Sequence, residues 1–147
     1  HVKRHSFPTR RSSDLLARES GVVFLGPRAD MPWVYAASDA VVLASHEEGP
    51  PRVLMEGAAM GRALLATDVR GCREVVRPPR NGFLVQPHNP AALAVAMLTL
   101  ARYPELRARF GAENALEARQ RFDVQRVVTR IIDVYDRLLQ RRGKGVA

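Results

Sequence analysis

Two glutamates eight positions apart, Glu48 and Glu56, are the side chains of this sequence best placed to do chemistry. An apolar run at residues 40–44 precedes them and a second one at residues 63–67 follows. The pattern predicts a strand, a Gly/Pro loop, a helix and another strand, with Glu48 in the loop and Glu56 on the helix. A helical carboxylate in this position can accept two hydrogen bonds from a ribose diol.

The loop between the first run and the helix has the features of an anion site. A helix that begins directly after a parallel strand presents unpaired N–H groups, and its dipole favours negative charge there. Gly49 allows a ligand to approach the backbone, whereas Pro50 and Pro51 stiffen the loop and supply no N–H. The expected donors are the N–H groups of Gly49, Arg52, Val53 and Leu54. A plain surface loop with two solvated acids is the alternative, and the strand–loop–helix–strand context favours the binding site.

Composition limits the class of protein. The 147 residues, 46% of them hydrophobic, are enough for one domain with a core, and no apolar run is long enough to cross a bilayer. The single cysteine, Cys72, excludes a disulfide scaffold and fits a reducing cytoplasm. The net charge is +8, but the basic residues are mostly arginines spread along amphipathic helices without interleaved aromatics. We therefore expect no nucleic-acid binding, and a peripheral contact with an anionic membrane surface is the more favoured use of this charge.

The first fifteen residues have no periodicity of either kind. Residues 7–15, FPTRRSSDL, closely resemble a translated sequencing-adapter scar, and a basic targeting leader is the other interpretation. Leaving out the four basic side chains and the one acidic side chain of residues 1–15 lowers the net charge from +8 to +5. We expect residues 1–15 to be a disordered artefact and residues 16–147 to form the domain.

Strands and helices alternate along the rest of the chain, which predicts an α/β fold with a Rossmann-like parallel sheet and flanking helices. The predicted strands are residues 22–25, 40–44, 63–67 and 83–85, the last entered through a tight turn at Asn81 and Gly82. The predicted helices are residues 30–38 with Asp30 as cap, 51–61, 73–77, 91–102, 104–119 and 123–142. The last helix carries one continuous apolar stripe, which is typical of an amphipathic helix.

Residues 45–61, SHEEGPPRVLMEGAAMG, resemble the signature S-x-x-E-G-x-P-x-x-x-x-E-A-x-A-x-G of retaining glycosyltransferases of the GT4 family, which have the GT-B fold. The likeness continues through residues 66–76 and 81–85 downstream, and through residues 24–26 and 39–43 upstream. It therefore covers most of the chain beyond about Gly21. One departure is Gly57, where alanine is usual.

The resemblance implies an incomplete C-terminal domain of a GT-B fold, without the N-terminal domain and without the first strands of the donor domain. The intact enzyme would be a hexosyltransferase that moves a hexosyl group from a nucleotide sugar to a hydroxyl of a saccharide or lipid-linked acceptor, with retention. No His, Cys and Asp residues of the sequence have metal-ligand spacing, so we expect no metal site, and we expect no cofactor. We expect the isolated chain to be inactive and the protein to be cytoplasmic, with peripheral contact on the inner membrane face. The alternatives are another GT-B enzyme, such as an epimerase, and a non-catalytic nucleotide-binding interaction domain.

The same resemblance implies roles for individual residues. Glu48 would lie beside the hexose as the catalytic residue, and Glu56 would hold the ribose. The segment from Gly49 to Arg52 would bind the diphosphate. The nucleobase would meet the turn formed by Gly26, Pro27 and Arg28. Further candidates for phosphate or sugar contact are His46, Arg70 and Arg73, while Tyr35 is expected in the core and the roles of Trp33 and Glu74 stay open.

The resemblance also implies a topological consequence. In the usual strand order, residues 22–25 would be separated from residues 40–44 by two strands that the chain lacks. We therefore expect the first strand to pair directly with residues 40–44 or to keep an open edge. The stripe of the last helix is expected to be partly exposed.

Overall fold

The structure, a computed structural model, describes residues 21–143, and the side chains of residues 21–140. The chain divides into two compact units, His1–Met31 and Pro32–Ala147. The residues for which an adapter origin is predicted, 1–15, lie outside the described part. The elements in chain order are α1 (Met31–Ala37), β1 (Ala40–Leu43), α2 (Arg52–Ala59), β2 (Ala63–Thr67), α3 (Arg70–Arg73), β3 (Gly82–Val85), α4 (Pro90–Arg102), α5 (Pro104–Arg121) and α6 (Val124–Gly143).

Three parallel strands form the sheet, in the order β1-β2-β3. Ala40 pairs with Ala63 across the first ladder, and Leu64 pairs with Gly82 across the second. Every residue of the central strand β2 is buried, as expected for a parallel strand that is covered on both faces. The predicted α/β class with a Rossmann-like parallel sheet is confirmed, and the carboxyl ends of all three strands meet at one edge.

Helices cover both faces of this sheet. On one face, Leu65 of β2 packs in a buried cluster with Leu100 of α4 and Phe110 of α5. The Phe110 ring meets Phe83 of β3 edge to face, with 5.3 Å between ring centroids. On the other face, α2 lies against Leu64 at Gly57. These contacts anchor the elements from which the loops at the carboxyl edge project.

Close packing of α2 explains the glycine at position 57. A Cβ there would lie 2.7 Å from Val41 Cγ2 and 3.4 Å from Leu64 Cδ2. The departure from the family's alanine therefore matches a tight approach of α2 to β1 and β2 in this chain. Gly82 serves a similar purpose, because a Cβ there would lie 2.3 Å from the Leu64 carbonyl oxygen. It lies within β3, so the prediction that it forms a tight turn is wrong.

The strand predicted at residues 22–25 is also wrong. These four residues have no strand structure, and Val22, Val23, Phe24 and Leu25 are between 50% and 77% exposed. A strand is stable only when its N–H and C=O groups pair with a neighbour. Within the described residues, the sheet consists of β1, β2 and β3. The β propensity of residues 22–25 is therefore not sufficient by itself to form a strand.

The short helix predicted at residues 73–77 lies earlier, at Arg70–Arg73. The reason is Asn81, whose side chain is fully buried behind the following turn. Its Oδ1 accepts a hydrogen bond from the Arg77 N–H at 2.7 Å, and its Nδ2 donates to the Val75 carbonyl at 2.9 Å. The first of these bonds uses the Arg77 N–H, which a helix over residues 73–77 would need for the Arg73 carbonyl.

The last helix, α6, carries its apolar stripe in solvent. The eight stripe residues are 40% to 66% exposed, namely Val124, Val127, Val128, Ile131, Ile132, Tyr135, Leu138 and Leu139. No helix in residues 21–143 is both long and apolar enough to cross a membrane.

Candidate functional site

The main cavity of the second unit has a volume of about 840 Å³ and opens at the carboxyl edge of the sheet. The loop after β1 forms one wall, and α3 with the residues after it forms another. The end of α5 closes one side. The lining of the cavity includes His46, Glu48, Gly49, Arg70, Glu74 and Arg121. The structure thus brings together residues from three separate segments.

Glu48 is held by a chain of hydrogen bonds that starts in the sheet. The hydroxyl of Thr67, at the end of β2, donates to the Ser45 carbonyl oxygen. The Ser45 hydroxyl in turn donates to Glu48 Oε1 at 2.7 Å. Because β2 is rigid and buried, this chain fixes the half-buried carboxylate in the cavity wall.

The backbone of the same loop is fixed by Gly71 of α3. A Cβ on Gly71 would lie 1.9 Å from the Gly49 carbonyl oxygen and 2.4 Å from that of Glu48. Only glycine allows α3 to pack this closely on the loop. A Cβ on Gly49, by contrast, would meet no atom within 4 Å, so its open side is free for a ligand.

The N-terminus of α2 is open to an anion. No side chain of the described residues caps this helix, and the residue before it is Pro51, whose carbonyl accepts from the N–H groups of Leu54 and Met55. The prediction of Leu54 as a donor to a ligand is therefore wrong. The first two residues of the helix, Arg52 and Val53, have no carbonyl in the preceding turn to bond. Their N–H groups and that of Gly49 are the donors expected for an anion.

Glu56 does not share the cavity of Glu48. It lines an adjacent cleft of about 590 Å³ between α2 and the end of α5, and the two cavities share Met55 and Phe122. The hydroxyl of Tyr35 donates to Glu56 Oε2 at 2.9 Å, while Arg52 Nη2 lies 3.6 Å from Oε1. Burial, and then the bond to Glu56 and its charge, raise the pKa of Tyr35 to about 12.

The two arginines of α3 have different surroundings. Arg70 lines the main cavity, whereas Arg73 is absent from its wall and donates to Asp68 Oδ1 at 2.6 Å. This bond, together with the charge of Asp68, raises the pKa of the exposed Arg73. Arg70 is thus the better candidate for contact with a phosphate.

His46 stacks on His88, with 4.4 Å between the ring centroids and 13° between the planes. His88 follows β3 and has a positive φ of 59°, so the turn after β3 aims its ring at the loop after β1. His88, which is not part of the cavity lining, therefore holds the ring of His46, which is.

The predicted nucleobase turn, Gly26 to Arg28, belongs to the first unit, where Arg28 Nε donates to Asp30 Oδ1 at 2.7 Å.

Cys72 is fully buried below the loop. Burial, followed by the charges of Glu48 and Asp68, raises the pKa of its thiol, which makes it a poor nucleophile. Among the residues with described positions, no group of three or more His, Cys, Asp or Glu side chains could hold a metal ion.

Arg121 is a cavity residue that the sequence analysis missed. Its Nη1 donates to Glu117 Oε2 at 2.9 Å, and its Nη2 donates to the Glu74 carbonyl at 2.8 Å. Glu117 is only 4% exposed and also faces Arg77 and Arg80. This cluster of charges joins the end of α5 to the segment after α3, and so fixes the far wall of the cavity.

An open parallel sheet with a loop, an uncapped helix N-terminus and a cavity at its carboxyl edge is the architecture of a nucleotide-binding α/β domain. The family model described as "Glycosyl transferases group 1" matches residues 7–102. This chain belongs to that family, and its fold is that of the C-terminal part of a GT-B glycosyltransferase.

Three comparisons define the likeness further. The N,N'-diacetylbacillosaminyl-diphospho-undecaprenol alpha-1,3-N-acetylgalactosaminyltransferase of Campylobacter jejuni is 30% identical over 122 residues, which cover 82% of this chain and 32% of that protein. The crystal structure of Anabaena Alr3699/HepE in complex with UDP matches with a TM-score of 0.80 and 31% identity, over 86% of this chain and 36% of that one. The C-terminal domain of LpcC from Francisella tularensis shares the fold, with a TM-score of 0.66 and 23% identity over 78% of this chain and 62% of that one. The chain thus spans about a third of the length of the first two.

Proposed function

We propose that this chain forms the donor-binding part of a retaining hexosyltransferase, which moves a hexosyl group from a nucleotide sugar to a hydroxyl acceptor. The observation that carries the proposal is the main cavity, which the Glu48 loop and Arg70 line at the carboxyl edge of the sheet, with the uncapped N-terminus of α2 following directly after that loop. The likeness to Anabaena HepE supports it, because that protein has been crystallised with UDP and with UDP-glucose.

The diphosphate would lie against the N–H groups of Gly49, Arg52 and Val53, with Arg70 adding a full positive charge. Donors aimed at the diphosphate stabilise the charge that develops on it as the bond to the anomeric carbon breaks. The acceptor hydroxyl then bonds through its oxygen to that carbon on the same face of the sugar, and its proton passes to the departing diphosphate. The rigid backing by Gly71 supports this role, since a preorganised loop needs little rearrangement during the reaction.

The two glutamates would have separate tasks because they line separate cavities. Glu56 would accept hydrogen bonds from the ribose diol in the cleft beside α2. Glu48 would lie beside the hexose, where the bond from Ser45 holds it, and would orient the sugar or stabilise positive charge on it. The shared wall of Met55 and Phe122 would separate nucleoside from sugar.

A lipid-linked saccharide is the acceptor class we propose, supported by the diphospho-undecaprenol substrate in the name of the Campylobacter jejuni relative. The acceptor would approach the open side of the main cavity. Because the chain spans about a third of its relatives, we propose that it binds the donor without transferring the sugar.

Calorimetric titration of the 147-residue chain with UDP, GDP and ADP, and then with the matching nucleotide glucose, tests these roles. Glu56→Gln is expected to weaken the preferred nucleoside diphosphate at least tenfold, since bonds to a charged group are lost. Glu48→Gln should weaken the nucleotide sugar but leave the diphosphate within about twofold. Glu105→Gln, an exposed change at the start of α5, is the control. If the wild type, Glu56→Gln, Glu48→Gln and Glu105→Gln all bind the nucleotides and nucleotide sugars with equal affinity, the donor-site proposal is refuted.

A further inference from the structure

Tyr35 joins α1 to the carboxylate that we assign to the ribose. Its side chain is only 4% exposed, and its hydroxyl lies 2.9 Å from Glu56 Oε2. Tyr35 and Glu56 are 21 positions apart, so the contact depends on how α1 crosses α2. A buried tyrosine hydroxyl needs a hydrogen-bond partner, and here that partner is a candidate ligand-binding group.

The two oxygens of Glu56 have unequal surroundings. Oε2 accepts the bond from the buried Tyr35, whose position is fixed by packing. Oε1 has Arg52 at 3.6 Å, and the Arg52 side chain is 90% exposed, so this ion pair holds the carboxylate only weakly. The Glu56 side chain as a whole is 43% exposed and lines the cleft beside α2. Tyr35 is therefore the partner that sets its orientation.

The hydroxyl of Tyr35 remains a donor under all physiological conditions. Burial and the adjacent carboxylate raise the pKa of Tyr35 to about 12, so it stays protonated. Because the Tyr35 hydroxyl donates to Glu56 Oε2, the lone pairs of Oε1 remain available to a diol. A glutamate that is oriented before the ligand arrives loses less side-chain freedom on binding.

We propose that Tyr35 is a positioning residue for donor recognition, which holds Glu56 Oε2 so that the carboxylate faces the cleft ready for the two hydroxyls of a ribose. This inference rests on the proposed function, because it assigns a ribose to Glu56. It adds a residue outside the loop–helix signature to the recognition of the donor. It also distinguishes Tyr35 from a residue that merely fills the core.

The variant that tests the proposal is Tyr35→Phe, which keeps the ring and removes only the donor. Tyr103→Phe, at an exposed tyrosine between α4 and α5, is the matched control. The ligands are the nucleoside diphosphate among UDP, GDP and ADP that binds most tightly and its 2′,3′-dideoxy analogue. Affinities are measured by titration of amide signals in NMR spectra of the 147-residue chain, and the same spectra report whether each variant is folded.

Tyr35→Phe is expected to bind the ribonucleotide about five- to tenfold more weakly, and the dideoxy analogue within twofold of the wild-type affinity. In the Glu56→Gln background the same change should have less than a twofold effect, because the two residues act as one unit. A structural role alone would weaken both nucleotides equally.

Three outcomes are informative. If Tyr35→Phe binds the ribonucleotide like the wild type while Glu56→Gln binds it weakly, the inference is overturned and the donor site stands. If Tyr35→Phe weakens the ribonucleotide and the dideoxy analogue to the same degree, the positioning role is likewise overturned. If Glu56→Gln itself has no effect, the proposed donor site fails and the role of Tyr35 fails with it.

Discussion

Gly71→Ala should disable the proposed donor site through its backbone, without changing any residue that we assign to ligand contact. The added Cβ would lie 1.9 Å from the Gly49 carbonyl oxygen, whereas ordinary van der Waals contact begins at 3.4 Å. The loop or α3 must therefore shift by about 1.5 Å, the difference between these two distances. A shift of this size would break the hydrogen bonds that we propose between Gly49 or the start of α2 and a diphosphate.

The magnitude follows from the bonds at risk. Hydrogen bonds to a charged group are worth about 1.5–3 kcal/mol each, so losing one weakens binding by roughly ten- to a hundredfold. Overpacking of this kind also lowers the free energy of unfolding by about 1–3 kcal/mol. The two effects are separable, because a domain that is still folded can be titrated.

The assay is a titration of the preferred nucleoside diphosphate, with the unfolding free energy measured by urea denaturation of the same samples. Gly49→Ala is the matched control, since its Cβ would meet no protein atom within 4 Å. We expect Gly49→Ala to keep the wild-type stability within about 0.5 kcal/mol and to lose affinity only by crowding the ligand. A Gly71→Ala variant that binds within twofold of the wild type would refute the claim that this contact shapes the site.

Three further predictions follow from individual contacts. The pKa of Tyr35 is raised from 10.0 to about 12, so the folded state holds the hydroxyl proton more tightly than the unfolded state does. The resulting contribution to the free energy of unfolding is complete below pH 10 and is lost as the pH rises towards 12. In urea denaturation, Tyr35→Phe should therefore lose less stability than the wild type over this alkaline range. Phe110→Ala, at a core ring that is 1% exposed, should lower the free energy of unfolding by about 3–5 kcal/mol in the same assay. Arg70→Ala should weaken nucleotide binding, whereas Arg73→Ala, which breaks an exposed ion pair with Asp68, should leave affinity within twofold and stability within about 1 kcal/mol.

Most of the sheet could be predicted because its strands are marked by local patterns. Residues 63–67 form an apolar run that is buried on both faces, and Gly and Pro residues mark the ends of its neighbours. The position of Glu48 and Gly49 beside an open helix N-terminus is likewise a local consequence of strand, loop and helix following one another. The strand predicted from the apolar run at residues 22–25 is absent, because a strand also needs a neighbouring strand with which to form hydrogen bonds.

The residues that were missed act over long distances in sequence. Thr67 reaches the Ser45 carbonyl from 22 positions away, and Arg121 reaches that of Glu74 from 47. Serine, threonine and arginine are common in polar loops and helix ends, so no local spacing singles out these pairs. Tyr35 had a usable signal, since a tyrosine on the apolar face of a helix must bury its hydroxyl against an acceptor.

Mapping of amide chemical shifts on adding UDP, GDP and ADP to the 147-residue chain tests the donor-site assignment most directly. We predict that one of these nucleotides shifts the amides of Gly49, Arg52 and Val53 and those lining the Glu56 cleft, and that Glu56→Gln weakens this response at least tenfold. Absence of any response, or shifts confined to surfaces away from the carboxyl edge of the sheet, would contradict the assignment of this cavity to a nucleotide sugar.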